Sequence, residues 1–442
     1  MFEAGVVGAG GAGFPTHKKL DCKVKYFIVN GCECEPLLKT DQYLMKNKAK
    51  EILEAITVVG EVVEAEKYII GIKAKYIEQI AALEEEIRNG GYKIELHKIK
   101  NFYPAGDEQV LVQEIVGKSV PPLGIPLHVG TVVNNVETMY NVYEAMNDRA
   151  VTHRYVSVIG EVKEPRVIKV PIGISLRKVI EAAGGPTIEN YSIILGGPMM
   201  GKHHKKDEID NLVITKTNGS VIVVPEESYI VMKNTTNIDK IIKRAQSVCI
   251  QCRICTEMCP RYLNGHPLEP HKIMRSVAFG KIDESISSAL ICSECGVCEM
   301  YACPMGLAPM KVNIYLKGLL RKSNIKFTTD KKEFVARESR EYKKVPTTRL
   351  ISRLGLEKYS YQSLKSFLEI KANEVSVPLK QHIGSPSTAI VNVGDLVECG
   401  QTIGIMNGGK LGSNVHASID GIVTKVDDFI TIKYEENKTI EI

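Results

Sequence analysis

No apolar run in this 442-residue sequence approaches the roughly 18–20 residues that a membrane helix needs, so no bilayer-spanning segment is expected. The first residues lack the charged-then-apolar order of a signal peptide, which argues against export. Neither sign of charge dominates: 57 Lys and Arg against 52 Asp and Glu leave +5, too little to argue for nucleic acid from composition. Tryptophan is absent, and aromatic residues supply only 6% of the chain. Hydrophobic residues reach 44%, which excludes disorder and fits a globular chain of about three domains at ~150 residues each. Sulfur is what stands out, with 12 cysteines.

Eight of them fall in two groups, Cys249-x2-Cys252-x2-Cys255-x3-Cys259-Pro260 and Cys292-x2-Cys295-x2-Cys298-x4-Cys303-Pro304. The first group is the bacterial ferredoxin run without a gap, and the second has one extra residue before its last cysteine. In such runs three closely spaced thiolates wrap one face of an iron–sulfur cube, and the fourth reaches the neighbouring cluster. By that rule Cys249, Cys252, Cys255 and Cys303 hold one [4Fe–4S] cluster, and Cys292, Cys295, Cys298 and Cys259 hold the other. A disulfide framework does not suit a long chain without export signals. Structural zinc leaves the third and fourth cysteines and the trailing prolines without a purpose. Short helices are expected around the loops, at Lys243–Val248 and His271–Ala289. Cys22 and Cys399 are isolated and read as ordinary thiols.

Residues 24–98 alternate strand, helix, strand, helix, strand, which implies a parallel sheet covered by helices. Tyr155–Gly160 and Arg166–Val170 read as a hairpin, Leu176–Ala183 as a helix, and Ser192–Leu195 as a strand before Gly196-Gly197-Pro198: a small β-grasp-like module. Residues 310–372 read as a basic helical connector whose Lys317, Arg321, Lys322, Lys331, Lys332, Lys343 and Lys344 form a solvated face. From Val375 onward, short strands between Gly, Asn and Asp turns indicate an all-β domain.

Gly8, Gly10 and Gly13 make a formal GxGxxG, but only seven residues precede it, so a leading strand barely fits. The segment reads better as a backbone-rich concavity for a flat, phosphorylated ligand. Cys32 and Cys34 flank Glu33; they are either two unpaired thiols or a redox-active pair in a tight ring. His17, His203 and His204 read as solvated or structural histidines.

Gly8–Thr16 resembles the flavin loop of the NADH-oxidising subunit of respiratory complex I. Asn30–Pro36, Tyr103–Glu108 and Asn134–Thr138 resemble that subunit's later flavin contacts. The chain is more similar still to the RnfC/PduS/PrdC-like family of flavin and dicluster iron–sulfur electron-transfer proteins. Val377–Gly384, Val393–Asp395 and Val415–Gly421 resemble that family's barrel-sandwich module, C-terminal here as in PduS rather than N-terminal as in RnfC.

The resemblance implies a multidomain α/β protein. A Rossmann-like FMN/NADH-binding domain would occupy 1–148, an SLBB β-grasp domain 149–238, and a helical ferredoxin-type domain with two [4Fe-4S] clusters 239–322. A basic helical linker would follow at 323–372 and a barrel-sandwich hybrid domain at 373–442. It implies FMN against Gly8, Gly10, Gly11, Gly13 and Lys18, with Asn30, Glu33, Asn134 and Asn135 on flavin ring or chain atoms. It implies NADH against Phe14, Glu35 and Glu108, acids that suit the free 2′-hydroxyl of NAD over NADP. Complex I has arginine where this loop has Ala9, and Asp and Ser where it has Cys32 and Cys34.

The implied activity is NADH oxidation with electrons passed through FMN and both clusters to a redox partner: a corrinoid enzyme, another reductase, ferredoxin or Rnf subunits. No nucleic acid partner is implied. The implied location is the cytoplasm, at the membrane periphery through partners, or a bacterial microcompartment. The alternative is a non-catalytic conduit and docking subunit with a degenerate flavin fold. A third reading makes the last domain a swinging lipoyl or biotinyl carrier with Lys410 as its acceptor; the neighbours typical of a carrier lysine are missing there.

Overall fold

The computed structural model describes residues 1–280, 284–407 and 409–435. Strands β1 (Tyr26–Gly31), β2 (Lys67–Lys73), β3 (Ile94–Ile99) and β4 (Thr131–Asn135) form a parallel sheet in the order β3-β2-β1-β4. Phe27, Ile28 and Val29 are all fully buried, as expected of a strand covered on both faces. One cover is the helix Ala49–Val62, which turns Ile52, Leu53, Ile56 and Val59 inward at helical spacing. The strand order reverses between β1 and β4. A crevice therefore opens at their carboxyl ends, where Asn30 pairs in register with Asn135.

The second sheet has six strands, in the order Leu368–Glu369, Arg166–Pro171, His153–Gly160, Ser220–Pro225, Tyr191–Leu195 and Lys202–Lys205. The expected hairpin is its antiparallel centre. Short helices and the helix Pro309–Lys322 surround the cysteine loops, packing around Ile273, Met274, Val312 and Leu316. The helix expected over 271–289 ends at Ala278, and 281–283 lie outside the described residues. The C-terminal domain is two small sheets facing each other.

The connector corrects the sequence reading. Arg321, Lys322, Lys331 and Lys332 are exposed, as expected of a solvated face, but other cations are tied down: Lys317 is 8% exposed and bonds the Cys292 carbonyl and Glu294, while Arg340 and Lys344 both reach Glu114. Its backbone is also structural. Val345–Pro346 pairs with Phe102–Tyr103, and Leu368–Glu369 joins the second sheet. Charge spacing shows cations next to acids but cannot show that the acids across the fold will take them.

The C-terminal domain is seated on the N-terminal segment. Ile383 N–H donates to the Gly13 carbonyl (3.3 Å), and Ser413 Oγ donates to the Phe2 carbonyl (3.5 Å). Lys216 is buried between them, with Nζ donating to the carbonyls of Gly5 (2.7 Å) and Asn414 (2.9 Å). A side chain at Gly13, where φ is +73°, would meet Thr217, Gln381 and His382 within 2.9–3.1 Å. A domain fixed in this way does not swing, which removes the carrier reading; Lys410 is exposed, and Gly408 in its turn lies outside the described residues.

Candidate functional site: a flavin seat and two cysteine cages

The glycine segment is a tight loop and not a strand-to-helix turn: Val7 bridges Pro15, and Gly8 N–H donates to the Phe14 carbonyl (2.9 Å). Gly10 lies so close to Asn135 that a Cβ there would sit 3.0 Å from its amide, whereas Gly11 faces open space. The loop is held from behind. Ala9 N–H donates to Thr138 Oγ1 (2.9 Å), and Arg154 donates to the Ala9 carbonyl (2.8 Å) while pairing with Glu137 (3.0 Å). The buried pair of Glu137 with Arg154, from the second sheet, thus braces the loop from behind.

The crevice between β1 and β4 joins this loop to two asparagines. Asn30 donates to the Gly106 carbonyl (2.9 Å) and accepts from Cys32 N–H (3.0 Å). Asn134 is 4% exposed, and its amide nitrogen is buried without an acceptor. An unpaired buried donor beside a glycine-lined opening fits a ligand rich in carbonyl and phosphate oxygens, as FMN is. Asn135 caps the following helix and donates to Asp41 (2.9 Å).

Of the remaining predicted positions, Phe14 and Lys18 are exposed, and Glu108 is paired with Lys19. Glu33 accepts from Glu35 N–H (3.3 Å), and burial followed by the Asp41 charge raises its carboxyl. Glu35 reaches the second domain, accepting from Met199 N–H (2.8 Å); burial pushes it up to about 7. Cys32 and Cys34 are free thiols, and burial pushes Cys32 up to about 12, well away from thiolate.

The eight cluster cysteines line two cavities. One is walled by Cys249, Cys252, Cys255 and Cys303, and the other by Cys259, Cys292, Cys295 and Cys298. Each draws three cysteines from one sequence group and the fourth from the other. Both loops turn left-handed at the second and fourth residue after their first cysteine: Gln251 (φ 56°) and Arg253 (67°), then Glu294 (60°) and Gly296 (77°). Three of these are not glycine, a strain of roughly 1 kcal/mol each that needs a reason. Alternating handedness turns successive N–H groups inward, the concavity that cradles anionic clusters. Glu294 N–H points at Cys292 Sγ (3.4 Å), Leu307 N–H at Cys303 Sγ (3.3 Å), and the Gln251 amide at Cys249 Sγ (3.1 Å). Among the described residues no three His, Cys, Asp or Glu converge on a single-ion site. These cages fit cubes rather than lone metals.

The flavin seat and the Cys259/Cys292/Cys295/Cys298 cage share a wall. Tyr103, 1% exposed, donates to the Cys295 carbonyl (2.7 Å). Asp107 grips Arg261, two residues past Cys259, with two hydrogen bonds (2.7 and 2.8 Å). Met199 packs against Gly296 while its N–H holds Glu35. Sequence reasoning singled out neither Arg261 nor Met199 as a site residue. The one available signal was the Gly196-Gly197-Pro198 turn just before Met199.

Comparison with known proteins agrees with this layout. Residues 1–144 match the Nuo51 FMN-binding domain, 155–202 the SLBB domain, 248–308 the 4Fe-4S dicluster domain and 360–442 the RnfC barrel sandwich hybrid domain. The cobalamin reductase PduS of Salmonella typhimurium is 41% identical over 96% of this chain and 93% of its own length. The Citrobacter freundii PduS is 39% identical over the same shares. A component of the Na(+)-translocating ferredoxin:NAD(+) oxidoreductase complex of Acetobacterium woodii is 34% identical over 60% of this chain and 57% of its own. FMN and two [4Fe-4S] clusters are accordingly the cofactors of this oxidoreductase, an electron-transfer flavo-iron–sulfur protein. Domain content and near-full-length similarity together place the chain in the family of the cobalamin reductase PduS.

Proposed function

We propose that this protein oxidises NADH and delivers the electrons singly to the corrinoid of a partner enzyme. The observation that carries the proposal is the shared wall: the loop that closes the flavin crevice through Gly106 also bonds the Cys295 carbonyl and Arg261. FMN when bound accepts a hydride and gives up single electrons, and the [4Fe-4S] clusters carry them one at a time. The residues do the positioning. Gly8, Gly10, Gly11, Gly13 and Lys18 would receive the phosphate and ribityl chain; Asn30, Glu33, Asn134 and Asn135 would hold flavin ring or chain atoms. Phe14, Glu35 and Glu108 meet the dinucleotide, with Glu108 paired to Lys19. The exposed Glu108 carboxylate disfavours the extra phosphate of NADP. Eight cysteines hold the clusters: Cys249, Cys252, Cys255 and Cys303 for one, Cys259, Cys292, Cys295 and Cys298 for the other. No side chain needs to act as an acid or base.

The test is anaerobic purification followed by flavin extraction, dye reduction with NADH against NADPH, and cob(III)alamin reduction followed by absorbance. Released FMN with NADH-specific dye and corrinoid reduction supports the proposal. Flavin-free protein, or loaded protein inert to NADH, overturns it.

A further inference from the structure

The two cages differ in what surrounds them. The Cys259/Cys292/Cys295/Cys298 cage is walled in by Tyr103, Asp107–Arg261 and Met199, and its cysteines are buried or half-buried. Among the described residues, the Cys249/Cys252/Cys255/Cys303 cage has no hydrogen bond to the flavin-binding region, and Cys252 is exposed. Its rim is apolar and open to solvent: Ile250 is 60% exposed, Ile254 37% and Met305 36%.

The charge around that rim has one sign. From residue 243, near the cage end of its helix, to residue 280, every exposed charged side chain is cationic: Lys243, Arg244, Arg253, Lys272 and Arg275; the exposed Asp239 lies beside Lys240 at the far end of that helix. The two acids in that stretch, Glu257 and Glu269, are half-buried and paired with Lys343 and Lys272. The helix carrying Lys240, Lys243 and Arg244 runs straight into Cys249, and Arg275 follows the cavity-lining Met274. The chain as a whole is nearly balanced at +5, so this concentration is local. An apolar centre beside a redox group, ringed by one sign of charge, is the pattern that steers and seats a partner of opposite charge.

We infer that the Cys249/Cys252/Cys255/Cys303 cage is the outward electron port and that its cationic surround docks an acidic one-electron carrier protein. The inference rests on the electron-transfer reading above but not on NADH being the donor. Each transfer moves one electron from the reduced protein to the oxidised redox centre of the carrier, with no bond made or broken.

The test uses the full-length, anaerobically purified protein carrying both clusters. An acidic two-cluster ferredoxin is the probe and basic mitochondrial cytochrome c the control. Binding is measured by biolayer interferometry at roughly 50 and 300 mM salt, a range over which the screening length falls by about 2.4-fold. Ferredoxin binding should weaken about tenfold or more across that range. The triple variant Lys243→Glu, Arg244→Glu, Arg275→Glu should weaken it about tenfold or more at low salt. Flavin content, iron content and cluster EPR should stay unchanged. With protein pre-reduced by stoichiometric dithionite, the second-order rate of ferredoxin reduction should fall in parallel. Unchanged binding in the variant, salt-independent binding, preference for cytochrome c, or an unchanged transfer rate after binding is lost each overturns the inference. Should charge reversal disturb folding, the corresponding triple change to Gln is expected to show a smaller loss of the same kind, and no loss overturns it equally. Failure of NADH to reduce the protein would count against the proposed donor alone.

Discussion

Asp107 is where the flavin region and the cluster region are bonded most strongly, and its removal can be worked out in parts. Its carboxylate caps the helix Glu108–Val116, Oδ1 accepting from Gln109 N–H and Val110 N–H at 3.1 Å each, and it also takes both Arg261 nitrogens. The pair is largely buried, with 10% of the Arg261 side chain and 17% of Asp107 exposed. Breaking such a pair from one side costs about 3–5 kcal/mol, because the remaining charge is stranded. Losing an N-cap costs about 1 kcal/mol. Asp107→Asn keeps one oxygen for the cap but turns an amide N–H toward the second Arg261 nitrogen and strands that buried cation, so about 3–5 kcal/mol is expected; Arg261→Met, which strands the Asp107 carboxylate, should cost a similar amount. In the double variant the loss should fall short of the sum by about 1–3 kcal/mol, the coupling expected of contacting residues. The assay is anaerobic urea unfolding of the holoprotein and all three variants. Acid provides a second check. Burial raises the Asp107 carboxyl, but the Arg261 charge and the cap donors more than offset this and hold it below its ordinary value. The pair's contribution is then complete above the ordinary Asp range and is lost as pH falls through the depressed value. A coupling below about 0.5 kcal/mol at neutral pH would refute the reasoning.

Cys255→Ser removes one wall of a single cavity, so the purified variant should lose about half its iron and keep its flavin, as measured by iron and FMN assay. Equal loss of both clusters would mean the cages assemble only as a unit. Glu35 gains proton affinity on folding, so its contribution to stability falls as pH rises from its ordinary value through about 7. Glu35→Gln in flavin-free protein should therefore raise Tm relative to wild type more at pH 8 than at pH 5; an equal difference at both would exclude that cause.

Legibility followed chemistry. The cysteine spacing carried the cluster reading, because an iron–sulfur cube dictates which backbone intervals can surround it. The parallel sheet was legible because strands covered on both faces are continuous apolar runs, as Phe27–Val29 are. Contacts between distant segments were not legible. Arg261 follows a Cys-Pro pair and gives no sign that Asp107 awaits it, 154 residues upstream. Arg154, which stands behind Ala9, lies in another sheet altogether. Lys344 read as part of a solvated face because sequence shows the charge and its neighbours but not Glu114, folded against it and Arg340 from far away.

The seat of the C-terminal domain on the first residues has a consequence for how such proteins are assembled from parts. Ser413 touches the Phe2 carbonyl and Ile383 the Gly13 carbonyl, so the C-terminal domain and the first residues meet along one seam. A gene rearrangement that moved this module to the front of the polypeptide would keep it in the same place wherever the new junction preserved that seam. The order of modules along the chain is then nearly free to vary, while their arrangement in space is not.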